Sequence, residues 1–169
     1  IALQYVSVPT SFTLTIEEID EDGATFLWKE DGSDEGYYIN LSAEGKLLSL
    51  SQPINPTDKM ILAEQQRFIA EQFLTEQYNE ALNYFTLATI KTKAESKRYY
   101  YEQFVYGIPL QSSYCTIEIS NSGQLINFEY KAYQTSPPKT PTTLAAKEPI
   151  LEQLIKAEWT AQLEYLSSN

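Results

Sequence analysis

The sequence predicts an α+β fold in which tandem antiparallel β-meander sheets are each covered by a helix. Three observations carry this. A Gly-centred segment occurs twice: Ile39-Asn40-Leu41-Ser42-Ala43-Glu44-Gly45-Lys46-Leu47-Leu48-Ser49-Leu50 aligns without gaps on Ile117-Glu118-Ile119-Ser120-Asn121-Ser122-Gly123-Gln124-Leu125-Ile126-Asn127-Phe128. Each copy alternates apolar and polar residues about a short polar turn, the pattern of a β-hairpin with Gly where the backbone needs positive φ. One long amphipathic segment lies between the copies. Finally, 169 residues of which 43% are hydrophobic and 13% aromatic suffice for a core in one large domain or two small ones.

The elements follow in order. The chain opens on Ile1-Ala2-Leu3-Gln4-Tyr5-Val6, without an initiator Met and already apolar, which predicts a piece of a longer protein whose first covering helix lies upstream. Strands are predicted over residues 12–19, 24–29, 37–41 and 46–51, giving a first meander unit within residues 1–53. Phe12-Thr13-Leu14-Thr15-Ile16 matches Phe85-Thr86-Leu87-Ala88-Thr89-Ile90, and Phe26-Leu27-Trp28 is aligned with Phe104-Val105-Tyr106. Three landmarks in one order argue for a duplication. In the second unit, residues 54–133, Asn55-Pro56-Thr57-Asp58 offers a helix start. The helix from Lys59 to about Leu82 places Leu62, Ile69 and Phe73 on its core face, flanked by Ile61, Phe68 and Leu74. Four more strands are predicted over 84–92, 97–106, 113–120 and 124–131. Residues 134–143 read as a linker. Leu144 to about Ala157 reads as a C-terminal helix, which either packs on the first sheet or opens a third repeat, since Gln162-Leu163-Glu164-Tyr165-Leu166-Ser167 is similar to Leu3-Gln4-Tyr5-Val6-Ser7.

Charge and composition remove several functions. Twelve Lys and Arg against twenty-three Asp and Glu give a net charge of −11, a field that repels a phosphate backbone, so no nucleic-acid partner is expected. There is no histidine, which removes Ser-His and Cys-His catalysis and His-metal sites. Cys115 alone makes no internal disulfide and reads as a half-buried core thiol in a strand. No apolar run approaches the length of a transmembrane helix.

The second unit carries Phe104-Val105-Tyr106-Gly107-Ile108-Pro109-Leu110, an F-x-x-x-G-I-P-[VL] stretch leading into a strand, a Gly turn and a strand. This resembles the PepSY superfamily, and within it the YcdB/YcdC-type repeats of Gram-positive cell-envelope proteins. The first unit departs from the pattern, with Glu30-Asp31-Gly32-Ser33-Asp34-Glu35-Gly36 in place of the Gly-Ile-Pro element. The resemblance implies PepSY-like units, an extracellular or envelope location, and a non-enzymatic module that binds or restrains a peptidase or another envelope protein, either through a sheet edge or by covering a cleft. A purely structural repeat that spaces other domains is the alternative.

The remaining chemistry is sparse. Asp20-Glu21-Asp22-Gly23 has the look of a calcium loop, but Lys29 stands where a bidentate acid should close the shell, so hairpin turns are expected and no metal. A carboxylate-pair hydrolase needs two acids driven apart in pKa by an apolar site. The acids here fall in turns and on exposed faces, so no catalytic residue and no cofactor is assigned. In Tyr99-Tyr100-Tyr101-Glu102-Gln103-Phe104-Val105-Tyr106, strand alternation turns Tyr99, Tyr101, Gln103 and Val105 one way and Tyr100, Glu102, Phe104 and Tyr106 the other. The expected protein-contact residues are Tyr100, Phe104, Tyr106, Gly107, Ile108, Pro109 and Leu110.

Overall fold

The computed structural model describes residues 2–55, 57, 59–79, 81–105 and 108–132. The expected linker, C-terminal helix and third-repeat start lie outside the described residues, as do Tyr106 and Gly107. Strands β1 (Thr13–Ile19), β2 (Gly23–Lys29), β3 (Gly36–Ser42) and β4 (Leu47–Ser51) are followed by helix α1 (Ala63–Gln77), then β5 (Phe85–Thr92), β6 (Ser96–Val105), β7 (Ile108–Ser120) and β8 (Leu125–Lys131). All eight expected strands are present, within a few residues of their predicted bounds. No helix among the described residues is long and apolar enough to cross a membrane.

The two meanders do not form separate sheets. They join in one eight-stranded sheet of order β1-β2-β3-β4-β8-β7-β6-β5, antiparallel at every pair. The last strand of each meander is left with an unpaired edge, and an open edge exposes a row of backbone donors and acceptors. Pairing Ser49↔Glu129, Leu50↔Phe128 and Ser51↔Asn127 closes both edges at once and sets Leu50 beside Phe128 in a common core. Around that seam Tyr37, Ile39, Leu41, Tyr99, Tyr101, Cys115, Ile117, Ile119 and Tyr130 are buried. A fully buried ring such as Phe128 contributes about 2–3 kcal/mol by leaving water. It also meets Phe73 of the helix edge-on, at 5.1 Å between centroids.

Helix α1 is shorter than expected and turned about its axis. Described residues ahead of it bond instead to the β7–β8 turn: Ile61 N–H donates to Asn121 O (2.9 Å), Asn55 N–H to Gln124 Oε1 (2.8 Å), and Gln124 Nε2 to Pro53 O (3.1 Å). The helix therefore starts at Ala63, where Gln65 Oε1 accepts from the Leu62 N–H (3.0 Å). Gln66, Ala70 and Leu74 form its buried line. Ile69 and Phe73 are half-buried as flankers, while Leu62 and Phe68 are 70% and 66% exposed. The rotation is set by Gln66, which is buried because its amide donates to Ser120 O (2.9 Å) and Asn121 Oδ1 (3.3 Å) and so pins helix to hairpin. Small Ala70 lets the helix backbone approach the sheet.

The hairpins of the two meanders share their turn chemistry. Gly45 and Gly123 both have positive φ, 77° and 92°. In one, Ser42 N–H donates to Lys46 O and Gly45 N–H to Ser42 O; in the other, Ser120 N–H donates to Gln124 O and Gly123 N–H to Ser120 O. At the preceding hairpin, Asp20 N–H donates to Gly23 O in the first meander and Lys93 N–H to Ser96 O in the second. One alignment needs correction. Phe26 pairs with Ile39 and Tyr99 with Ile117, so the counterpart of Phe26-Leu27-Trp28 is Tyr99-Tyr100-Tyr101 and not Phe104-Val105-Tyr106.

Candidate functional site: a groove beneath an irregular hairpin arm

Among the described residues, α1 packs on one face of the sheet, against β6 and β7. On the other face, registers place Arg98 opposite Glu118, Tyr100 opposite Thr116, and Thr116 opposite Glu129. Where β6 meets β7 the ladder is interrupted: Glu102 pairs with Tyr114 but Phe104 with Pro109, so one residue of β6 stands against residues 110–113 of β7. Such an excess on one strand bends it away from the sheet plane. The β7–β8 register begins only at Tyr114↔Lys131, so among the described residues the start of β7 pairs with β6 alone.

The result is a groove of about 730 Å³, lined by Arg98, Tyr100, Glu102, Pro109, Leu110, Ser113, Tyr114, Thr116 and Glu129. Of the expected contact residues, Tyr100, Pro109 and Leu110 are brought together here. Phe104 is half-buried beside the arm, opposite Pro109. Tyr106 and Gly107, together with the side chain of Ile108, lie outside what is described. Sequence reasoning missed Arg98, Glu102, Tyr114, Thr116 and Glu129. Strand alternation of Tyr114, Thr116 and Glu118 on the neighbouring strand could have found part of this set.

At one end of the groove Arg98 belongs to an ion cluster. Glu118 is almost fully buried, and its carboxylate accepts from Arg98 Nε (2.6 Å), Lys93 Nζ (2.9 Å) and Ser96 Oγ (2.5 Å). Burial alone would raise its pKa; the three donors outweigh that and hold it below the ordinary carboxylate value. Tyr114 O–H donates to Glu129 Oε1 at 2.5 Å, and this bond, with some burial, raises the phenol's pKa. Lys91 Nζ lies 4.9 Å from the Tyr100 ring centroid, within cation–π range.

The other candidates resolve into structure. Asp20 Oδ1 accepts from the N–H groups of Asp22 (2.9 Å) and Gly23 (3.0 Å), a local turn that uses the carboxylate the calcium reading would need. Among the described residues no three His, Cys, Asp or Glu side chains are grouped to hold a metal. Cys115 is fully buried, and burial pushes its thiol pKa up, away from thiolate chemistry. Tyr99, Tyr101 and Gln103 do face the core and Glu102 faces solvent, as alternation required.

Comparison with known proteins bears on what this scaffold is. The family model described as "YcdB, YcdC repeated domain" matches residues 1–132. Bacillus subtilis YcdC is 26% identical over 156 residues, covering 88% of this chain and 34% of that protein. YcdB from the same organism is 33% identical over 135 residues, covering 76% of this chain and 28% of that protein. The chain thus spans about a third of the length of these curated relatives, both uncharacterised. Among solved structures, the Bacillus megaterium YpeB C-terminal domain superposes with a TM-score of 0.61 at 12% identity, covering 90% of this chain and 70% of that one; the likeness is one of fold. With eight antiparallel strands and one packed α-helix among the described residues, and the family model matched over residues 1–132, the chain belongs to the YcdB/YcdC repeated-domain family.

Proposed function

We propose that the chain is a non-catalytic protein-binding module of the extracytoplasmic face, one that restrains a peptidase or another envelope protein by holding an extended segment of it. The observation that carries this reading is the groove, where Tyr100 and Tyr114 stand beside Pro109 and Leu110. Rigid aromatic and proline surface offers contact area at low entropy cost. The extracytoplasmic location and the peptidase partner rest on the family resemblance of the Gly-Ile-Pro stretch. The non-catalytic part is supported by the one buried carboxylate among the described residues: Glu118 is already engaged by three donors and its pKa moves down, opposite to the direction a general acid needs. The same reading takes the two meanders as tandem copies of one PepSY-like unit, supported by the recurrence of both turn hydrogen-bond patterns.

The test is retention. The immobilised chain, challenged with peptidases secreted by its own source, should retain or slow at least one, and Tyr100→Ala with Tyr114→Ala should release it. If no peptidase is slowed and none is retained, the structural-spacer reading takes over. One observation favours that second reading: the β4–β8 seam fuses both meanders into a single continuous sheet, a stiff connector.

A further inference from the structure

The geometry points to a defined occupant for the groove: an extended polypeptide segment that places a lysine or arginine side chain between Tyr100 and Tyr114. This deepens the protein-binding reading above and rests on it. The argument is one of charge and shape. Arg98 reaches the groove, but its guanidinium is engaged by Glu118, with Nη2 at 2.5 Å from Oε2. Its charge is therefore largely offset. Glu102 and Glu129 also line the groove, and among the described residues neither has a lysine or arginine within ion-pair distance. Two solvent-facing carboxylates thus flank two tyrosine rings whose faces attract cations. Lys91 shows the mode of contact within the chain itself, with its ammonium 4.9 Å from the Tyr100 centroid.

The wider field agrees. A net charge of −11 steers a basic partner toward the surface and repels a second copy of the chain or an acidic peptide. Leu110 and Pro109 supply apolar contact for the stem of a long basic side chain, which prefers to lay its methylenes on such surface while its head stays polar. A volume of about 730 Å³ accommodates more than one side chain.

The experiment uses the full chain and a fluorescein-labelled hexapeptide of alternating arginine and leucine, read by fluorescence polarisation at low and physiological salt. A counterpart with glutamate in place of arginine serves as comparison. Binding of the basic peptide should be at least about tenfold tighter and should weaken with salt. Glu102→Gln combined with Glu129→Gln should reduce it about tenfold, whereas Glu17→Gln combined with Glu18→Gln, on exposed β1, should leave it unchanged. Because both groove acids are exposed, their amides preserve the fold. Tyr100→Leu gives an independent check and should weaken the basic peptide alone. Equal binding of both peptides, or equal loss from the groove and β1 variants, overturns the inference. A peptidase retained with no preference for basic peptide would sink this occupant while leaving the protein-binding reading in place.

Discussion

The two meanders have the same plan, yet differ at two matched places, and the groove between Tyr100 and Tyr114 lies on the second. In the first, Asn40 lies opposite Thr25 and donates to its hydroxyl at 2.8 Å. In the second, the corresponding positions are Glu118 and Arg98, joined by Lys93 and Ser96 into a buried ion cluster. Beyond these pairs, β2 turns into β3 through residues 30–35, a short acidic loop closing the pair Lys29↔Gly36. The same connection in the second meander runs through residues 103–113, between Glu102 and Tyr114, and carries the Gly-Ile-Pro arm. A lengthened loop costs little in closure entropy, so a shared scaffold can gain a concave surface without altering its core.

Breaking the cluster gives the largest contrast between the meanders. Glu118→Ala leaves Arg98 and Lys93 facing each other with no anion and is expected to cost about 2–3 kcal/mol. Asn40→Ala removes one half-buried neutral hydrogen bond and should cost about 1 kcal/mol or less. Urea unfolding at neutral pH measures both. The pH dependence separates them further. Since Glu118 sits below its unfolded pKa, its contribution is complete above the ordinary glutamate value of about 4.3 and is lost as pH falls through the folded value. The difference between wild type and Glu118→Gln should therefore shrink in acid, while the Asn40→Ala difference stays flat. A Glu118 effect no larger than that of Asn40 would remove the cluster as a distinction between the halves.

The matched turn glycines offer a subtler contrast. Gly45 and Gly123 share a positive φ, so Ala at either costs about 1 kcal/mol in backbone strain. A Cβ at Gly45 meets nothing within 4 Å; at Gly123 it meets Ile61 Cδ1 at 3.1 Å and Ile69 Cδ1 at 3.3 Å. Gly123→Ala must also push aside the Ile61 and Ile69 side-chain ends, and should cost about 2 kcal/mol in total. Equal losses at the two sites would mean that those side chains yield freely.

This asymmetry also shows what the sequence could and could not convey. The hairpins were legible because the Gly-centred pattern and strict alternation are local properties. The fusion of the sheets was not, since the β4–β8 pairing joins residues far apart in the chain, such as Leu50 and Phe128, and the repeated pattern marks both as hairpin positions without saying that they meet. The helix face was misjudged because apolar spacing favoured Leu62, Ile69 and Phe73, whereas a buried Gln66 and its bonds to Ser120 and Asn121 decide the rotation. At the site, Pro109 and Leu110 could be named from the motif and Tyr100 from strand alternation. Glu102 and Glu129 could not, because their place in the groove depends on the register across three strands.

The smallest effect is expected at another matched pair, Trp28 and Tyr101, which face Tyr37 and Cys115 respectively. Trp28 is half-buried beside Phe26, with which it stacks at 5.8 Å. Tyr101 is fully buried, and its hydroxyl has no hydrogen-bond partner among the described residues. Burying such a hydroxyl raises its pKa strongly and returns no bond for the water it loses. Tyr101→Phe keeps the ring and its packing while removing only that uncompensated group. Stability should therefore change by less than about 0.5 kcal/mol, or rise. The same substitution at Tyr78, whose hydroxyl donates to Leu47 O at 2.5 Å, should cost about 1 kcal/mol, because it strands a carbonyl of the first meander. Tyr78 is the C-cap residue of α1 and half-buried, whereas Tyr101 lies on β6, so the two variants contrast a bonded phenol with an unbonded one. A loss of more than about 1 kcal/mol in Tyr101→Phe would reveal a partner for that hydroxyl and make the second meander's core as fully paired as its ion cluster.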